Sequence, residues 1–167
     1  EGVAKVAFGL GKAVVDGEKV LRFSPRYPGK VLQTSTPELT MRDTQQVMYA
    51  LDIRPEMFKT SVDDAVNLER IPITECSRFK SFSKVVSTYD YSGMRMVDSP
   101  FGDGPKFVTF SHILKYKTFP LAEILTNLLS MAVEEMKCNV EIEYAAEPDK
   151  GVFDVLQVRP ISSDSMQ

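Results

Sequence analysis

Cysteine is scarce in this chain of 167 residues and histidine almost missing: Cys76, Cys138 and His112 are the whole supply. The two cysteines lie far apart and outside any CxxC or Cys/His ligand spacing, which argues against a zinc site and against a disulfide scaffold. A reduced, cytoplasmic setting is the matching expectation. Basic charge is also short. With 20 Lys and Arg against 23 Asp and Glu, the net charge of −3 provides no field to neutralise a phosphodiester backbone, so nucleic acid is not an expected partner. Any phosphate recognition has to be local. No apolar run approaches the roughly 20 residues of a membrane helix, and the N-terminus lacks a basic-then-apolar signal pattern, so no membrane partner is expected. Repeats and low-complexity tracts are absent too.

What is present suffices for a core. A 43% hydrophobic content over this length favours one domain, residues 1–167. Glu1-Gly2-Val3-Ala4 enters an apolar segment at once and Arg159-Pro160-Ile161 finishes one, and these ends read as those of a piece cut from a longer protein.

Along the chain, Val3 to Leu10 reads as a strand running into the Gly9-Leu10-Gly11 turn, and Val14-Val15, Asp16-Gly17 and Lys19 to Phe23 read as a hairpin. Ser24 to Pro37, with Pro25, Pro28 and Gly29, reads as a long ordered connection. Val47, Tyr49, Leu51 and Ile53 alternate as in a half-buried strand, although Thr40 to Ala50 also accepts a helical reading. Phe82 to Asp90 and Met94 to Val97 flank Tyr91-Ser92-Gly93 as a second hairpin, and Phe107 to Phe110 is a further short strand. From Pro120 to Met136, Leu121, Ile124, Leu125, Leu128, Leu129, Ala132 and Val133 form the apolar stripe of a helix. Val140 to Ala146 and Phe153 to Arg159 close the sequence as two strands around Pro148-Asp149-Lys150-Gly151. The fold class is therefore α+β, a largely antiparallel sheet packed by one long helix.

The last two strands carry the candidate chemistry. Pairing that sets Glu143 opposite Gln157 and Glu141 opposite Arg159 gathers these four on one face. Val140, Ile142, Tyr144, Leu156 and Val158 then form an apolar face suited to the Leu121 to Met136 helix. Carboxylate and amide oxygens are hard ligands fit for Mg²⁺, which reaches proteins through one or two carboxylates plus substrate phosphates. A guanidinium makes bidentate bonds to phosphoryl oxygens. Spacing alone equally fits a solvated sheet face with cross-strand Glu and Arg pairs.

Two motifs extend this reading. Ala7-Phe8-Gly9-Leu10-Gly11-Lys12-Ala13-Val14-Val15-Asp16-Gly17 resembles the "GLGE-x-VV-x-G" segment of the phosphoenolpyruvate synthase and pyruvate phosphate dikinase family. Glu141-Ile142-Glu143-Tyr144 with Leu156-Gln157-Val158-Arg159-Pro160 resembles that family's "DIEW…VQ-x-RP" ending, in the same order and with a helix just before it. The resemblance implies the C-terminal part of an ATP-grasp nucleotide-binding domain. There ATP phosphorylates a histidine on a separate swivelling domain, and the phosphoryl group then passes to pyruvate at a further domain. By that resemblance the cofactors are ATP and Mg²⁺, Glu143 and Gln157 face the metal and nucleotide phosphates, Arg159 contacts the transferring phosphoryl group, and Glu141 reaches a metal or a ribose hydroxyl. Gly9 and Gly11 bring backbone amides to phosphate, where the alternative is a turn that needs positive φ. Arg22 is a further, weaker candidate from the hairpin that follows.

The sequence departs from the family at Lys12, which replaces the Glu of "GLGE", and at Glu141, which replaces Asp. The "RSS" segment and Lys of the family's N-terminal lobe are not in this sequence, so the chain by itself is expected to be inactive and to need that lobe and the swivelling domain as partners. Two other functions stay open: a lobe of a related dikinase with another acceptor, and a non-catalytic binding or scaffold module. His112, in Phe110-Ser111-His112-Ile113, lacks a Thr-His context and is read as a packing or hydrogen-bonded residue. The scattered methionines read as core filling or surface accident.

Overall fold

The structure is a computed structural model describing residues 2–63 and 65–161. Glu1, which figures in the readings above, lies outside the described residues, as does Met166 among the scattered methionines. The first strand is shorter than expected: β1 (Ala4–Val6) pairs antiparallel with β2 (Leu21–Phe23), Ala4 opposite Phe23. Between them Lys12–Val15 forms a single helical turn, α1, rather than the first arm of a hairpin. Val14 and Val15 donate their amides to Gly11 O, and Lys12 pairs with Asp16 one turn on at 2.8 Å. Ala13 is fully buried there against Val20, Val47 and Tyr49, so packing overrides the strand preference of the two valines.

The connection after β2 holds a 3-10 turn, Leu32–Thr34, and then α2 (Pro37–Asp43), which the loop reading did not contain. Its start signal is visible all the same. Thr36 Oγ1 accepts from Leu39 N at 3.2 Å, and Pro37 occupies the first helical position, where its missing N–H costs nothing. The two readings of residues 40–53 divide the segment between them, because helix runs to Asp43 and strand begins at Val47. β3 (Val47–Leu51) pairs with β4 (Leu68–Pro72), a strand with no counterpart in the sequence reading. Val47, Met48 and Tyr49 are all buried, whereas Leu51 and Ile53 are exposed, so both faces of β3 are covered at its start and neither period nor side persists to its end.

Lys80–Lys84 is a 3-10 turn, and strand proper starts at β5 (Val86–Asp90), flanked in its sheet by β6 (Arg95–Val97) and β7 (Lys106–Val108). The β5–β6 hairpin around Tyr91-Ser92-Gly93 is as expected. Beyond β7, Phe110 adopts a left-handed φ of 52° and α3 (Ser111–Leu114) begins at once. The expected long helix is α4 (Leu121–Met136), preceded by Pro120 and ended by Lys137 at φ 56°, whose amide donates to Val133 O. β8 (Val140–Glu147) and β9 (Val152–Pro160) complete the chain as an antiparallel pair.

The fold is thus α+β, with small antiparallel sheets rather than one large one. A principal cluster of buried side chains draws on β1, β2, β3, β4, β5, β7, α3 and α4, with Leu21, Val86, Val108 and Cys76 among its most enclosed members. Phe8 and Phe82 meet within it at 5.6 Å between ring centroids. Two glutamine side chains stand in for missing ladder partners. Gln45 accepts from Phe8 N at 2.8 Å and donates to Phe8 O and Val47 O, and Gln33 accepts from Arg22 N while donating to Val20 O and Asp43 O. Among the described residues no helix is long and apolar enough to cross a membrane.

Candidate functional site

The alternating pattern of β8 has its expected result: Glu141, Glu143, Ala145 and Glu147 are exposed, while Val140, Ile142, Tyr144 and Ala146 are buried or half-buried. β9 meets it with Glu141 opposite Arg159, Ile142 opposite Val158 and Glu143 opposite Gln157, so the four polar residues share a face. Beyond Glu143 the register shifts by one. Tyr144 lies opposite Val155, which leaves Leu156 as the extra residue of a bulge.

That shift corrects the apolar face. Leu156 is 64% and Val158 40% exposed, so neither shares the cover that α4 gives to β8. The main contacts of α4 with the hairpin are to β8, and its buried positions, Leu121 and Leu125, belong to its first half. Tyr144 anchors the other end. Its ring stacks on Phe153 at 5.3 Å, its hydroxyl donates to Lys5 O at 3.0 Å, and burial pushes its pKa up to about 12.

On the polar face Arg159 is already engaged. Its Nε donates to Glu141 Oε2 at 3.0 Å, one terminal nitrogen lies 2.8 Å from the same oxygen, and Glu143 Oε1 is 3.9 Å away. All of these side chains are about half exposed, where such a pair contributes only about 0.2–1 kcal/mol, and an incoming phosphoryl group can compete for the guanidinium. Glu143 and Gln157 stand opposite one another and supply one carboxylate and one amide oxygen. Among the described residues no group of three or more His, Cys, Asp and Glu is placed to hold a metal ion. One carboxylate and one amide oxygen cannot cage a metal by themselves, and any Mg²⁺ there would need water and phosphate oxygens to complete its shell.

The two glycines lie elsewhere. Gly9 has φ +92°, and a Cβ there would stand 2.3 Å from Met48 Cγ and 2.7 Å from Tyr49 O. The next amide, Leu10 N, donates to that same Tyr49 O. Gly9 is thus required by its turn and by the close approach of β3. Gly11, at φ −63°, precedes α1 with open space around it. Lys12 pairs with Asp16 and lies 5.7 Å from the centroid of the Tyr49 ring, and the Asp16 hydrogen bond raises its pKa. Arg22 sits exposed on β2. The His112 imidazole tilts toward the Tyr116 ring at 6.0 Å between centroids, with Nε2 enclosed and without a hydrogen-bond partner, which is the packing half of the reading made of it.

The sequence reading passed over one polar cluster, Ser87, Asp98, Thr109 and Ser111. Its only advance signal is the placing of hydroxyl residues within or beside the apolar runs Val85-Val86 and Phe107-Val108. No family model matches the chain, and no curated protein or solved structure matches it.

Proposed function

We propose that the chain is the ATP-binding lobe of a multidomain phosphotransferase, of the phosphoenolpyruvate synthase and pyruvate phosphate dikinase type, with the exposed face of β8 and β9 turned to Mg-ATP. The observation that carries this reading is the register pairing Glu141 with Arg159 and Glu143 with Gln157 on one open face, at the positions of the family's ending. Bound Mg²⁺ would neutralise charge between phosphate oxygens. Glu143 and Gln157 would hold it by oxygen, and Arg159 would leave Glu141 to grip a phosphoryl oxygen pair with its planar fork. Catalysis of this kind is chiefly positioning and electrostatic stabilisation, which such side chains can supply without a nucleophile of their own. The phosphoryl acceptor would be a histidine of a swivelling domain, with pyruvate or another acceptor downstream.

The exposed Arg159–Glu141 pair favours a second reading, in which the face is a solvated sheet surface of a binding or scaffold module. Calorimetric titration with Mg-ATP separates the two. Joined to an N-terminal lobe bearing the remaining phosphate ligands, the chain is expected to bind ATP only with Mg²⁺, and Glu143→Gln to weaken that binding unless Mg²⁺ is raised. Binding unaffected by Glu143→Gln and by Arg159→Lys alike would leave the scaffold reading.

A further inference from the structure

Away from the terminal hairpin, a cavity of about 520 Å³ opens between residues 28–35 and the β5–β6–β7 sheet, a volume ordinary for small-ligand sites. Its floor is built on Asp98, whose side chain is 19% exposed. Ser87 Oγ donates to Asp98 Oδ1 at 3.0 Å, while Lys115 Nζ and Tyr116 OH donate to Oδ2 at 2.7 and 3.2 Å. Since the Ser87 proton is spent on the carboxylate, Thr109 donates to Ser87 across 2.6 Å, and Ser111 in turn donates to Thr109 at 2.9 Å. Each hydroxyl proton in this chain runs toward the anion. Ser111 Oγ, at the open end, is left with lone pairs.

The facing wall repeats the pattern. Thr34 and Ser35 spend their hydroxyl protons on Val31 O and Leu32 O, at 3.4 and 2.8 Å. The hydroxyls that line the cavity therefore present acceptors, and of the two lysines along it Lys30 has its ammonium over the Tyr27 ring and Lys115 is held by Asp98. A ligand rich in acceptors alone would set its oxygens against those of Ser111, Thr34 and Ser35 and leave both unpaired, which is costly, whereas one rich in O–H groups satisfies them. A cationic donor meets repulsion from the two lysines.

Backbone geometry points to the same place. Phe110, between Thr109 and Ser111, holds a left-handed φ of 52° that is unfavourable for a residue with a Cβ. Thr109 N and Phe110 N both donate to Val85 O, at 3.0 and 2.9 Å, and the twist brings both neighbouring hydroxyls into the Ser87 cluster. Backbone strain of this kind persists where the surroundings over-determine it, and it gathers at ligand sites.

We propose that this cavity binds a neutral polyhydroxylated molecule of the sugar or polyol class, which donates hydroxyl protons to the oxygens of Ser111, Thr34 and Ser35 and lays its C–H face on Val31 and Leu114. The site is independent of the nucleotide reading of the β8–β9 face.

The test is an amide chemical-shift titration of the chain with glucose, ribose and glycerol, with penta-O-methyl glucose as a probe that keeps the oxygens and loses the donors. Expected are saturable shifts grouped in residues 28–35 and 98–115 for at least one of the three, and none for the methyl ether. Ser111→Ala should weaken binding about tenfold, the scale of one hydrogen bond. Leu32→Trp, made at a side chain 79% exposed, should block the mouth, abolish binding and leave the melting temperature unchanged. No saturable shift with any of the three, equal binding of the methyl ether, or tighter binding of glucose 6-phosphate than of glucose would each overturn the proposal.

Discussion

Gly9 and Gly11 stand two residues apart and answer to different demands. The first combines φ +92° with a backbone carbonyl 2.7 Å from where its Cβ would be, while the second has an ordinary helical φ and open space. Gly9→Ala should therefore cost about 3 kcal/mol, from the left-handed penalty and from overpacking against Met48. Gly11→Ala should change stability by no more than about 0.5 kcal/mol, since the lost chain entropy of the unfolded state offsets a poorer cap. Urea unfolding of the two variants checks this, and equal losses would mean that Gly11 has a contact that its surroundings do not reveal. Asp98 offers a test in pH. Burial alone would raise its carboxyl, but hydrogen bonds from Lys115 and Ser87 outweigh that and hold it below its ordinary 3.8. As pH falls the unfolded chain takes up this proton first, so the stabilisation is complete above the ordinary value and is lost as pH drops through the folded one. Asp98→Asn is expected to flatten the decline in urea midpoint between about pH 4 and pH 2 relative to the parent. Parallel curves would show that the surrounding donors do not favour the charged form.

At the scale of elements, the β8–β9 hairpin separates what a fold requires from what a site would require. Its buried side is held by Val140 and Tyr144, so the exposed residues opposite can be altered without loss of register. Arg159→Lys should leave the stability of the chain within about 1 kcal/mol, because the Glu141 pair is half exposed. In a full-length phosphotransferase the same change should remove most phosphohistidine formation, since an ammonium cannot reproduce a two-pronged grip. Glu143→Gln should fail differently, by weaker Mg²⁺ binding, with partial recovery at high Mg²⁺. Thermal melts beside phosphorylation of the acceptor histidine distinguish the cases. A much lower melting temperature with near-normal phosphorylation would make Arg159 a structural partner of Glu141.

Over the whole molecule, small sheets are unified by shared packing rather than by continuous hydrogen bonding. Phe82, on a 3-10 turn outside every strand, is only 4% exposed and meets Phe8, which joins the N-terminal segment to the elements around β5. Phe82→Ala is expected to destabilise the chain by about 3–5 kcal/mol and to shift a single transition, the same by circular dichroism and by tyrosine fluorescence. Two separated transitions would show that the core does not act as one cooperative unit.

By itself the sequence determined what local pattern controls. Alternation in Val140 to Ala146 placed Glu141 and Glu143 on one side, the apolar stripe located α4, and Tyr91-Ser92-Gly93 marked the turn between β5 and β6, because pleat, helical period and turn chemistry act within a few residues. The register from Glu141 and Arg159 to Glu143 and Gln157 was legible for the same reason. Tertiary structure decided the rest. Leu156 left the apolar face because an extra residue entered β9, a choice between two registers that alternation does not encode. Val14 and Val15 joined a helical turn because the buried Ala13 packs on a strand more than thirty residues further along. Ser87, Asp98, Thr109 and Ser111 came together only when β5, β6 and β7 formed one sheet, since hydrogen bonds between side chains far apart in sequence leave no period behind.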